Sequence, residues 1–408
     1  MVISRSDILK RAIPGGEQAY RGVLRGFARA ALIATTGLLA VSFLTTPAFA
    51  RKINFKINKE GFTSSKICGE CHIDIYNSWR QSMHSRSVSD PIFRAAYIMA
   101  FFKTNGKSPK LCLGCHSPTT RVTNNYKLDD PITSEGVTCD FCHSLKEVKF
   151  THPVNTAVMD VGHVKYGPNK EGSVKIHDIK YSPLHSSAKL CATCHEYRPN
   201  GVPVMTTYSE WKEGPYAEKG LQCQYCHMPQ TKGQIATGVT GGPEKKVFSH
   251  NLTGGHSISR LKKAVEVKIA KVVRKKDRMT IHAHITNSGS GHRVPTGIPT
   301  RKLILFCEVR SVGGKVYKEK IVYEKVIFDK NDVELVHDED IMLGRGVTIV
   351  KDNRIFPKET RKETFTFYLS DKKDAQVIVW ADYLYEPLVP QAIEMRIEMD
   401  RDEKVSLH

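Results

Sequence analysis

The chain has 408 residues, enough for two domains or one large one, and a formal net charge of +19. Beyond its first 50 residues no stretch is apolar enough to cross a bilayer, which excludes a polytopic membrane protein. Of its 11 cysteines, all but Cys307 fall in one repeated pattern.

Residues 1–29 are basic, with Lys10, Arg11, Arg21, Arg25 and Arg29. An apolar run from Ala30 to Leu44 follows, then Thr45-Thr46-Pro47-Ala48-Phe49-Ala50. The small residues Ala48 and Ala50 make a cleavage site, so residues 1–50 read as a signal peptide and the mature chain is expected to begin near Arg51. A membrane anchor is the alternative, but the run is short for a span and rich in Ala, Thr and Gly. No cysteine stands at the cleavage point to take a lipid. The mature chain is expected to lack a transmembrane segment and to be exported, to the periplasm or the extracellular space.

Residues 51–66 read as a polar, extended lead-in. The pattern Cys-x-x-Cys-His then occurs at Cys68–His72, Cys112–His116, Cys139–His143, Cys191–His195 and Cys223–His227. Each is a c-type haem attachment motif. Two thiols must reach the two vinyl groups of one porphyrin, and positions i, i+3 and i+4 of a helical turn share a face. The histidine is thereby set beneath the same ring, as a ligand to its iron. Zinc knuckles would leave these histidines unexplained and one knuckle unmatched. Disulfides would each close a very short loop for little benefit.

Five haem c groups in the 160 residues from Cys68 to His227 leave little room for a side-chain core, so the haems themselves should form it. Apolar spacing predicts helices over 72–84 and 90–103. Residues 228–260 form a Gly-rich bridge. From about 261 the pattern changes to period two: 264–270, 279–285, 303–309, 316–323, 363–368 and 376–383 read as strands. The expected fold is therefore mixed. A haem-cored domain of short helices and loops (51–260) precedes an antiparallel, Ig-like β-sandwich (261–400). Cys307 falls inside a strand and reads as a small buried apolar residue.

Removing residues 1–50 leaves a net charge of about +15, and five haems with their propionates bring it to roughly +10. Haem propionates inside, and acidic redox partners or an anionic surface outside, account for that balance better than nucleic acid does.

Several stretches resemble the cytochrome c554 family: Tyr76–His84, Gly136–His143, Ser182–His185 leading into Leu190–Glu196, Thr207–Trp211, Gly220–Pro229, His250–His256 and Gly291–Gly297. They cover roughly residues 68–300. The founding member has four haems and no such β domain, so its substrate partner does not transfer. Parts of the pattern also resemble haem-rich extracellular cytochrome filaments, which implies possible self-assembly.

Each iron takes a second ligand if it is six-coordinate, and histidines are in surplus. The resemblance implies His84, His185 and His250 as distal ligands. His177, His256 and His292 are further candidates; Met83, Met205 and Met228 are weaker ones. Bis-histidine ligation gives lower potentials than Met/His ligation. Arg293, beside His292, is a candidate partner for a haem propionate. The reading is an electron carrier between a donor and an acceptor protein, with no catalytic residue. The alternative is a multihaem oxidoreductase acting on a small nitrogen or sulfur compound at one open iron. The Cys-x-x-Cys-Lys motif of multihaem nitrite reductases is absent.

Overall fold

The computed structural model describes residues 57–170, 174–236, 245–370, 373–385 and 395–407. The expected signal peptide, part of the Gly-rich bridge and His408 lie outside these residues. Among the described residues up to Leu261, most elements are short helices joined by loops. The helix Pro91–Lys103 has 13 residues, Asp90 caps it by accepting from Phe93 N (2.9 Å), and Pro91 starts it where no amide donor is needed. The helix expected over 72–84 is instead two, Ile73–Trp79 and Met83–Arg86. Ser82 breaks it, because its hydroxyl accepts from Ser85 N (3.3 Å) and starts a new turn.

Three two-stranded ribbons, not foreseen from the sequence, tie these loops together. They are β1 (Leu145–Lys149) with β2 (Thr156–Met159), β3 (Val164–Gly167) with β4 (Asp178–Tyr181), and β5 (Gln230–Gly233) with β6 (Lys245–Phe248). The second is parallel. Strands this short carry no readable alternation.

The C-terminal part is an antiparallel sandwich. One sheet has the order β13-β8-β7, from β7 (Glu266–Lys275), β8 (Arg278–Thr286) and β13 (Thr360–Tyr368). The other has the order β10-β9-β14-β15, from β9 (Arg301–Ser311), β10 (Val316–Tyr323), β14 (Ala375–Tyr385) and β15 (Met395–Ser406). Between them Ile269, Ile281 and Phe365 pack against Leu303, Leu305 and Val379 in one core. Cys307 lies in that core, fully buried and opposite Val379. At the corner where the sheets meet, Asp400 and Asp402 accept from Val267 N and Ile269 N (2.7 Å each). Carboxylates there satisfy edge amides that a neighbouring strand would otherwise take.

A ribbon of β11 (Lys325–Asp329) and β12 (Gly346–Asp352), with the helix Asp338–Met342, reaches from the sandwich to the haem-motif region. Ile327 and Ile341 share a core with Tyr197, Val202 and Val204. Lys103 bridges to Glu339 (2.8 Å) and Asp340 (2.7 Å). Arg354, almost fully buried, pairs with the equally buried Glu210 at 2.7 Å.

Candidate haem-binding centre

Each motif sits on a short helical turn. Thr138 caps one by accepting from Phe141 N (3.0 Å), so Cys139 begins the turn and His143 ends it. Elsewhere His72 N donates to Cys68 O and His195 N to Cys191 O, each at 2.9 Å, closing the turn that brings thiols and imidazole to one face. The ten motif cysteines are unbridged, and among the described residues no three His, Cys, Asp or Glu groups converge on a bare ion.

Four of the motif imidazoles are held by backbone. Nδ1 of His72 faces Ile235 O (2.5 Å), that of His116 faces Ser87 O (3.0 Å), that of His143 faces Tyr166 O (2.6 Å) and that of His227 faces Thr253 O (2.6 Å). An Nδ1–H donated to a carbonyl leaves the Nε2 lone pair for iron. None of these acceptors is visible in sequence, because any residue supplies a carbonyl.

Three imidazole pairs face each other at a telling distance. His72 and His177 have ring centroids 6.3 Å apart, His84 and His195 6.3 Å, and His227 and His292 6.4 Å. Metal–imidazole bonds of about 2.0 Å on both sides of one ion set the ring centres roughly 6 Å apart. Unbridged thiols, oriented Nε2 atoms and spaced ring pairs all fit covalent haem held between histidines.

Burial pushes His84, His185, His195, His227 and His250 down to about 4, and also lowers His116, His143, His177, His256 and His292. These rings are neutral at pH 7, as iron ligation requires.

The other candidates are placed less simply. His185 is 5.4 Å from His143, and its Nε2 faces Cys142 O at 2.9 Å. His250 directs Nδ1 to Phe248 O (2.8 Å) and feels the fields of His143 and His72. His116 stacks on Phe93 at 3.8 Å, and it shares the field of Asp90 with His256. Arg293 lies over the Phe356 ring (5.5 Å) and 3.9 Å from Asp352, so its charge is already met by protein groups.

The motifs are not arranged in sequence order. The thiols of Cys68 and Cys139, of Cys115 and Cys194, and of Cys191 and Cys223 act on one another, and Cys142 acts on both Cys191 and Cys194. The first motif therefore neighbours the third, the third neighbours the fourth, and the second and fifth both adjoin the fourth. Gly136, in the stretch Gly136–His143, lets the backbone before the third motif lie against the turn that carries His84. Its φ is +74°, and a Cβ there would lie 2.5 Å from His84 O, which Val137 N instead reaches at 2.9 Å.

The family model for cytochrome c554 and c-prime matches residues 67–144. A penta-haem cytochrome c552 from Thermochromatium tepidum is 23% identical with a TM-score of 0.67, covering 84% of this chain and 99% of that one, which shows a shared fold. A putative ApaA protein from Bordetella pertussis aligns over 35% of this chain and 90% of its own, at 13% identity and a TM-score of 0.20, too low to carry an argument. No curated protein matches the chain. Over residues 67–144 the chain is similar to the cytochrome c554 and c-prime family, and over 84% of its length it shares the fold of a penta-haem c-type cytochrome.

Proposed function

We propose that the chain carries five covalent haem c groups and passes electrons among them in an exported, periplasmic or extracellular respiratory pathway. The observation that carries this reading is the set of three imidazole pairs 6.3–6.4 Å apart, each joining one motif histidine to a histidine distant in sequence. When bound, the haems supply one-electron chemistry, while the chain positions them and sets their ligands. Cys68, Cys71, Cys112, Cys115, Cys139, Cys142, Cys191, Cys194, Cys223 and Cys226 attach them. His72, His116, His143, His195 and His227 are the proximal ligands.

For the distal ligands we assign His177 to the first motif, His84 to the fourth and His292 to the fifth. The third takes His250, whose Nε2 has no hydrogen-bond partner among the described residues; His185 sits too close to His143 and turns its Nε2 to a carbonyl. The second takes His256, which shares Asp90 with His116. The haem order first–third–fourth–fifth, with the second branching at the fourth, follows from the thiol contacts. Among the described residues no helix is long and apolar enough to cross a membrane. Electrons are exchanged with donor and acceptor proteins, and residues 1–50 act as the export signal.

A second reading has one specific support. His116 is the proximal histidine whose ring partner, among the described residues, is Phe93 rather than an imidazole. An iron left open there would make the chain an oxidoreductase for a small nitrogen or sulfur compound. Intact mass, absorption and EPR spectra of the purified protein decide between them. Five haems, all low-spin, support the carrier. A high-spin iron that binds small ligands and is lost in His116→Ala supports the enzyme. A haem count other than five overturns the assignment of the motifs.

A further inference from the structure

Arg301, at the start of β9, is enclosed by protein but has no carboxylate within 4.0 Å among the described residues. Its Nε is buried without a hydrogen-bond partner, and Nη1 reaches only Thr296 O, at 3.4 Å. The guanidinium lies over the Tyr385 ring at 5.3 Å. Asp338 is the acidic group that acts on it, but its two oxygens accept from Tyr385 (2.6 Å) and Thr300 (2.5 Å). A buried cation without an anion costs several kcal/mol, and an orphaned buried donor calls for a partner. Two other enclosed arginines differ: Arg354 holds two carboxylates, and Arg121 holds three backbone carbonyls.

Two glycines leave room around this group. A Cβ at Gly297 would lie 2.7 Å from Nη1. A Cβ at Gly255 would lie 3.0 Å from the Tyr383 hydroxyl and 3.5 Å from Nη1. Tyr383, two residues from Tyr385 on β14, has no hydrogen-bond partner among the described residues, so its O–H is a second unused donor on the same side. The field of Arg301 is felt at His195 and at His256.

We infer that Arg301 and the Tyr383 hydroxyl form a binding site for a carboxylate anion, open at the Gly254-Gly255-His256 loop. The fork of a guanidinium matches a carboxylate in two parallel bonds, and the tyrosine adds a third donor. Two sources supply that chemistry here: a propionate of the haem attached at the fourth or second motif, or a small free carboxylate. The inference rests on haem attachment at the motifs, and the haem count by intact mass tests that reading separately.

The test uses the haem-loaded full chain as Arg301→Gln, Arg301→Lys and Tyr383→Phe. Each is followed by redox titration, by resonance Raman and infrared bands of the propionates, and by titration with acetate. With a propionate in the site, Arg301→Gln lowers the potential of one haem, because a positive charge that favoured the reduced form is gone. One propionate band moves, acetate has no effect, and Lys restores the potential but not the band. Tyr383→Phe moves the same band less, which keeps the test open if Arg301→Gln misfolds. With a free carboxylate as the source, acetate shifts the wild-type potential saturably, Arg301→Gln loses that response, and the propionate bands stay fixed. If potential, bands and acetate response are unchanged in Arg301→Gln and Tyr383→Phe at full haem content, the site does not exist.

Discussion

The two halves of this molecule solve the same problem in opposite ways. The sandwich buries Ile281, Ile285, Leu303, Leu305 and Val379 between two sheets, and each such side chain contributes roughly 1.5–3 kcal/mol. Its backbone hydrogen bonds close within long, well-registered ladders such as β9 with β14. Among the described residues the motif region has one helix of 13 residues, while the others run from 3 to 8. Helices that short are not stable alone in water, and their buried side chains form only small clusters, such as Ala188, Ala192 and Tyr208. The sandwich therefore carries its core in its own side chains, and the motif region depends on a group attached to it.

The largest effect expected from this contrast is loss of one half without the other. Chain produced without haem attachment should lose the fold of residues 57–250 and keep the sandwich from β7 to β15. Limited proteolysis with mass spectrometry checks this: cuts should fall throughout the motif region and spare the strands. A haem-free chain protected in both halves would show that the motif region has a sufficient core of its own.

The contrast also explains what could be read in advance. The strands β7, β8, β10 and β13 were legible because their more buried residues share one face, with β8 alternating buried and half-buried residues, and β9 and β14 because they are apolar runs buried on both faces. The strand β15 was missed because Arg396, Glu398, Arg401 and Glu403 give it the look of a charged tail. Its charges face outward: Arg401 bridges Glu398 (2.7 Å) and Glu403 (3.0 Å). In the motif region the thiol and histidine positions were legible, since the chemistry fixes their spacing. Their spatial order was not, because contacts such as Cys115 with Cys194 span nearly 80 residues. Arg293 was the arginine singled out beside a haem; Asp352 and Phe356 lie against it, while Arg301 is enclosed with no carboxylate within 4.0 Å among the described residues.

The join between the halves offers the next effect. Arg354→Ala leaves Glu210 buried and unpaired, and Glu210 in turn holds Thr296 (2.7 Å) in the loop that carries His292. Breaking such a pair costs about 3–5 kcal/mol. A lower denaturation midpoint, with the fifth motif's iron turning partly high-spin, is the expected result. A fall in stability with all irons unchanged would mean that the pair fastens the halves but does not position His292.

Within the motif region, the assignment of the third iron gives a smaller and more local outcome. His250→Ala should turn one haem high-spin, whereas His185→Ala should leave every iron low-spin and remove only packing against His143. EPR on both variants checks this, and the reverse pattern would move the ligand to His185.

The smallest expected effect is a pH slope at the same join. Lys325, 4% exposed, donates to Pro203 O (2.7 Å) and Val204 O (3.3 Å), so a cation of the sandwich caps carbonyls of the motif region. Burial, and then the nearby Arg354, push its ammonium down from 10.5 to about 8. Between those two values the unfolded chain holds the proton and the folded chain has released it. The unfolded state thus binds more protons, and stability rises with pH through this window by at most about 1.4 kcal/mol per unit. Below pH 8 both states are protonated, and the cost of burying the charge is present in full. Denaturation midpoints measured from pH 7 to pH 9.5, below the range where tyrosines ionise in the unfolded chain, should climb in the wild type and flatten in Lys325→Met. Met keeps most of the side-chain volume and leaves the two carbonyls without their donor, so its midpoint need not be higher at pH 7. The slope, not the midpoint, carries the claim: an equal slope in both proteins would show that Lys325 keeps its proton inside the join throughout the range.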